Sequence, residues 1–305
     1  LSLLIRGLRL LSLTENQENS MSSATKITRK DFLLGLAAPA ILPARPSAGR
    51  VLIVVAHPDD EYAFAATTYR LTHELGWTAD QVVITDGESG YRYSALAEAV
   101  YGKALANERD GRSNLPAIRK EETERAGKLI GIRRHYFLDQ RDLGFATDRA
   151  AAGTANWDHA KVLAFVRGLL EREQYEAVFT LLPTAETHGH HRAAAAIARE
   201  AVASLPADRQ PVLLGAEPRS REDRAITFDG KGPALAFDRT ASFGYHDALN
   251  YQIVVNWVIA EHKSQGLFQR DCGRHDLEEF WVLGGDESGE RLGHLLSQIS
   301  GRRVE

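Results

Sequence analysis

The chain has 305 residues, 37 Lys plus Arg against 41 Asp plus Glu, with 44% hydrophobic and 26% charged residues, the proportions of an ordinary globular protein. These figures exclude collagen, coiled coil and wholesale disorder, and a net charge of -4 leaves no basic footprint for nucleic acid. A single cysteine, Cys272, excludes an internal disulfide and a cysteine metal cluster, so a metal here would need His, Asp or Glu ligands.

The first methionine is Met21, and residues 1–20 read as an upstream mis-start with no role in a fold. Residues 21–48 have the layout of an export signal: Lys26, Arg29 and Lys30, then an apolar stretch from Phe32 to Leu42, then Pro43 to Gly49. Thr28 to Leu34 resembles a twin-arginine signal with lysine in the second position. The expectation is an exported protein, periplasmic or extracellular; without the signal it would be cytoplasmic. No apolar run reaches the roughly 18 residues that span a bilayer, so no integral membrane span is expected. Residues 49–290 read as one domain and 291–305 as a C-terminal tail.

Within the domain, Val51 to Ala56 (VLIVVA) is a continuous apolar run suited to a strand buried on both faces of a parallel sheet. A helical stretch follows from Glu61 to Leu75, then a strand from Gln81 to Thr85 and a turn over Asp86 to Gly90. Tyr91 to Asn114 reads as a long polar connection of lid character. Ile118 to Ile130 reads as a helix stopped by Gly131, followed by a strand from His135 to Leu138 and a second long loop through Trp157. Helix His159 to Arg172, strand Glu176 to Leu182 and helix His188 to Ser204 complete the alternation. Pro211 to Phe237 reads as short strands and turns, and Asp247 to Gln265 as a helix carrying Trp257. Strands and helices alternating in this way predict an α/β fold, a doubly wound, mostly parallel sheet with helices on both faces.

Two clusters carry the chemistry. His57-Pro58-Asp59-Asp60-Glu61 stands where the first strand ends and a helix begins, the edge at which open α/β sheets bind ligands. Adjacent carboxylates on a helical turn diverge by roughly 100 degrees, so Asp59 and Asp60 are expected to divide their tasks, one on a metal and one facing substrate. Helix capping is the plain alternative, and it accounts for one carboxylate only. The second cluster, His188-Gly189-His190-His191, opens the alanine-rich helix; a divalent metal would give three nearby imidazoles a reason to stay neutral. Two histidines and one carboxylate leave an open position for water, as hydrolytic zinc sites require, and the same set fits Fe(II) oxygenases. A base beside the metal favours hydrolysis.

At these motifs the sequence resembles the LmbE-like, or PIG-L, family of metal-dependent N-deacetylases, which act on N-acetylglucosamine-type substrates. The resemblance runs from Val51 to Gln265. It includes AHPDDE at 56–61, Thr85 to Gly90, the Arg119, Glu122, Ala126, Gly131 pattern, Leu138 with Asp142, the HGHH cluster and Glu261 to Gln265. It implies a Zn2+ site (Fe2+ being the other candidate) with His57, Asp60 and His191 as ligands and Asp59 as general base. It further implies His188 as the imidazole that assists the tetrahedral intermediate and Arg119 as a substrate contact. Many relatives carry aspartate where this chain has His190, which leaves the partner of His188 open. The expected partner is a small amino-sugar substrate. A metal-stabilised carbohydrate binder without turnover is a second reading, and an Fe(II) oxygenase a third. Trp77, Trp157, Trp257 and Trp281 are candidates for stacking on sugars, with core packing the commoner role.

Overall fold

In the computed structural model the described residues are 48–147, 157–286 and 288–300. The expected mis-start and nearly all of the expected export signal lie outside them. Among the described residues no helix is long and apolar enough to cross a membrane.

The strands are β1 (Arg50–Val55), β2 (Thr78–Thr85), β3 (Ile132–Gln140), β4 (Ala177–Leu181), β5 (Val212–Arg219), β6 (Leu235–Asp238), β7 (Ser242–Phe243), β8 (Leu249–Asn250) and β9 (Leu277–Gly284). Seven form one sheet in the order β3-β2-β1-β4-β5-β9-β6, and β7 pairs with β8 separately. The first five run parallel, while β9 is antiparallel to both β5 and β6. The main helices are α1 (Ala65–Tyr69), α2 (Glu98–Tyr101), α3 (Glu108–Leu129), α4 (His159–Glu173), α5 (Gly189–Ala203), α6 (Tyr251–Glu261) and α7 (Glu290–Ser300).

The apolar run of β1 is continuous because both faces of the strand are covered. Val51, Ile53 and Val55 enter one core with α1, α6 and α7, and Leu52 and Val54 enter the other with α4 and α5. The chain leaves β1 toward β2 on one side and returns to β4 on the other. That reversal opens a crevice at the carboxyl ends of β1 and β4, where the two histidine motifs lie.

Several elements depart from the sequence reading. The helical stretch after β1 is a 3-10 turn (Asp60–Phe64), then α1, then a π turn (Arg70–Glu74). Its entry is held from far away: Glu278 on β9 accepts from the N–H groups of Ala66 and Thr67 at 2.9 and 2.8 Å and is itself paired with Arg239 at 3.1 Å. Helix α3 begins ten residues before Ile118, with Pro116 inside it and Asn107 capping it by accepting from the Asp110 N–H. The connection before it is largely short helical turns. Strand β9, central between β5 and β6, had no counterpart in the sequence reading. The tail expected from 291 contains α7, which buries Leu295 and Ile299.

Candidate active site

The turn after β1 folds back on itself. Asp60 Oδ2 accepts from the N–H groups of Ala56 and His57 at 3.0 and 2.8 Å, which fixes the carboxylate under the strand end. Its Oδ1 lies 3.2 Å from His191 Nε2, and His57 Nδ1 lies 2.9 Å from the same nitrogen and 3.7 Å from Asp60 Oδ2. His57, Asp60 and His191 thus converge, one ligand atom from each within 4.8 Å of the others. A tetrahedral zinc with bonds near 2.0–2.1 Å separates its donors by about 3.3 Å. The separations here bracket that value, and the donor set suits zinc or ferrous iron. A second convergent group, His57, His188 and His190, shares the His57 ring.

The two aspartates face different partners, Asp60 the strand end and His191, Asp59 the guanidinium of Arg119, and Asp59 makes no side-chain cap to the helix. Asp59 Oδ2 accepts from Arg119 Nη2 at 2.7 Å. Burial pushes the Asp59 carboxyl up and adjacent Asp60 adds to this, while the Arg119 guanidinium pulls the other way without cancelling it. Asp60 is held well below the usual carboxylate range: burial opposes ionisation, and the imidazoles of His191 and His57 outweigh it. For His57, burial disfavours charge, yet Asp60, with Asp142 and Asp59 behind it, leaves the ring above its ordinary value.

Arg119 is not an exposed helix arginine. It is 3% exposed and reaches from α3 across the turn, donating also to the Gly87 carbonyl at 2.8 Å. Gly87 has a φ of +68°, and a Cβ there would lie 2.6 Å from Arg119 Nη1 and 2.9 Å from Pro58 Cδ, so the Asp86-Gly87 turn has room only for glycine. Arg119 still lines the cleft, but its hydrogen bonds go to the protein's own Asp59, Gly87 and Pro58.

His188 stands one residue before α5 and caps it, its Nδ1 accepting from the His190 N–H at 3.0 Å. An imidazole that accepts at Nδ1 carries its proton on Nε2. Burial and the neighbouring rings of His57, His191 and His190 push its pKa down to about 3. In this geometry a neutral His188 ring presents an Nε2–H donor, and its lowered pKa favours that neutral form. His188 thus lies just outside the helix and His191 within its first turn, with ring centroids 5.4 Å apart.

A cleft of about 480 Å³ joins these residues, within the range of small-molecule sites. The loop after β2 contributes Arg92 and Tyr93, and the loop after β3 contributes Asp142 to Phe145. A neighbouring cavity of about 420 Å³ shares Asp59, Tyr93, Gln265, Phe268 and Asp271 with it. The sequence reading gave no role to Tyr62, which lines the cleft and packs edge-on against Phe268 at 4.4 Å. None of the four tryptophans lines either cavity: Trp77, Trp157 and Trp281 are buried and Trp257 is exposed. His262 lies beneath the site, fully buried, with Nε2 2.6 Å from Glu61 Oε1.

Residues 52–202 match the family model described as PIG-L, GlcNAc-PI de-N-acetylase. The chain is 28% identical over 165 residues, 53% of its length, to the probable N-acetyl-alpha-D-glucosaminyl L-malate deacetylase 2 of Bacillus anthracis. The match spans 63% of that relative, and 65% of the Bacillus cereus protein of the same name, at 27% identity. Among solved structures, the N,N'-diacetylchitobiose deacetylase of Pyrococcus horikoshii aligns with a TM-score of 0.50 and 20% identity, covering 77% of this chain and 84% of that one. The 4-carboxy-2-hydroxymuconate hydratase of Pseudomonas putida aligns with a TM-score of 0.53 and 16% identity, covering 77% and 96%. At these identities the structural likeness establishes the α/β fold alone.

Proposed function

From the match of residues 52–202 to the PIG-L family we propose that this chain is a member of it, a zinc-dependent hydrolase that removes an N-acetyl group from an N-acetylglucosamine-type sugar or conjugate. The observation that carries the reading is Asp59, a carboxylate with raised proton affinity held by Arg119 beside the convergent His57, Asp60 and His191. A binder has no use for a base at that point. The same base supports hydrolysis over an Fe(II) oxygenase.

His57, Asp60 and His191 would hold the metal, which when bound supplies a Lewis acid and lowers the pKa of water toward about 7. Asp59 takes the proton of the attacking water. Because Oδ2 is held by Arg119, Oδ1 is the oxygen that receives it. The Nε2–H of His188 donates to the amide oxygen as negative charge develops there. Asp59 then returns its proton to the amine nitrogen as the carbon–nitrogen bond breaks, releasing acetate and the free amino sugar.

The test is acetate release from a panel of N-acetylated sugars and conjugates by the zinc-loaded protein. Turnover of at least one N-acetylglucosamine-type compound is expected. No acetate from any of them, together with oxygen consumption by the Fe(II)-loaded protein, would replace this reading with the oxygenase.

A further inference from the structure

His57 offers its two ring nitrogens to different company. Nδ1 belongs to the group with Asp60 and His191, while Nε2 lies 3.1 Å from His190 Nδ1. A histidine that gives the Nδ1 lone pair to a metal keeps its proton on Nε2, so that N–H is a donor, and the acceptor it meets is His190 Nδ1. We infer that His190 is the positioning residue of His57, fixing its tautomer and ring plane through an imidazole-to-imidazole hydrogen bond. Ligand histidines are usually oriented in this way by a carboxylate, a carbonyl or water.

The surroundings of His190 fit that role. The residue is fully buried, its ring stacked on His188 at 4.7 Å and packed against Trp157 at 5.2 Å, so its acceptor nitrogen is held in place. Asp142, the carboxylate beside it, lies 3.6 Å from His190 Nδ1, beyond hydrogen-bond length, and its Oδ1 accepts from the Gly144 N–H at 2.9 Å. The Nε2 proton of His57 therefore meets an imidazole nitrogen rather than a carboxylate oxygen. An imidazole acceptor raises the basicity of the ligand less than a carboxylate would, so metal affinity depends on the identity of residue 190.

This inference rests on the proposed ligand set His57, Asp60 and His191 and is independent of the substrate, so its test reads zinc affinity by chelator competition on the full chain. His190→Phe keeps a ring between His188 and Trp157 and removes the acceptor. His190→Asn keeps an acceptor oxygen close to where Nδ1 stood. The Phe variant is expected to bind one zinc about 10- to 100-fold more weakly than wild type, and the Asn variant within about threefold of wild type on the same scale. Melting of the zinc-free proteins identifies a variant that fails to fold, and His190→Ala against His190→Asn then repeats the comparison with small side chains. Equal affinity in wild type and the acceptor-less variant overturns the inference. So does a His190→Asn protein as weak as His190→Phe. Loss of stoichiometric zinc in every variant would instead make His190 a ligand with His57 and His188, which also overturns it. A wild-type chain that binds no zinc removes the metal site itself, a result distinct from failure to release acetate.

Discussion

Arg119 on α3 and Asp59 on the turn after β1, sixty residues apart, form a 2.7 Å ion pair in which the arginine is 3% exposed and the aspartate partly open to the cleft. The pair bears on how strongly the Asp59 carboxyl holds its proton. Burial raises the Asp59 pKa and Arg119 lowers it, so removing the guanidinium must raise it further. As the proposed base, Asp59 works ionised. In Arg119→Met the acid limb of kcat/KM is therefore expected to move to higher pH, with the loss of activity largest on the acid side. A pH–rate profile checks this, and a limb at the wild-type position would show that Arg119 acts on substrate alone.

His57→Ala, Asp60→Ala and His191→Ala are each expected to lower bound metal. Loss of groups that merely orient ligands costs about 10- to 100-fold in affinity, and loss of a ligand should cost at least as much. Metal content and affinity of the purified variants are the measurement. Undiminished stoichiometric binding by any one of them takes that residue out of the ligand set.

His262 and Glu61, both fully buried and 2.6 Å apart, tie the end of α6 to the turn that carries the two aspartates. Breaking a buried pair from one side typically costs about 3–5 kcal/mol, because the remaining charge has no partner. His262→Leu is expected to destabilise by about that amount. Burial disfavours charge on His262, and Glu61 more than offsets it, so the folded pKa stands above its ordinary 6.5. A raised histidine stabilises fully below its unfolded pKa and loses that contribution as pH climbs through the folded value. The stability gap between wild type and His262→Leu should therefore narrow on raising the pH above about 6.5, as read from denaturant unfolding at several pH values. A gap independent of pH would mean that His262 is neutral and acts through packing.

The parts of the site legible in the sequence are those written in consecutive residues. The apolar run of β1 gave the buried strand, and HPDDE at its end gave the ligand edge of the sheet. The HGHH cluster marked the start of α5. Partners joined across the fold were not legible: Arg119 had no visible acceptor, and Glu278 capping α1 joins positions more than two hundred residues apart. Helix α3 extends ten residues ahead of its sequence-read start although Pro116 and Gly111 disfavour a helix interior. Leu115, buried beside Pro116, and Gly111, whose missing Cβ admits Tyr91, hold the segment against that propensity. Asn107, which accepts from the Asp110 N–H, caps the start of the helix. The role of His190 required its distance to His57, which no local pattern encodes.

The replacement Asp59→Asn separates an enzyme from a binder. The amide is nearly isosteric, and Asp59 makes no side-chain cap, so neither the turn nor the ligand group should move. Arg119 can still donate to the amide oxygen, while the amide has no lone pair basic enough to take the water proton. Metal binding is expected to persist, and turnover to fall by about 10²- to 10⁴-fold, the usual contribution of a general base. The pH profile gives an independent reading, since the part of the acid limb that belongs to Asp59 should vanish in the variant. Turnover within about threefold of wild type, a difference under about 0.7 kcal/mol, would remove Asp59 from the chemistry. It would also leave the raised proton affinity of that carboxylate as a consequence of burial alone.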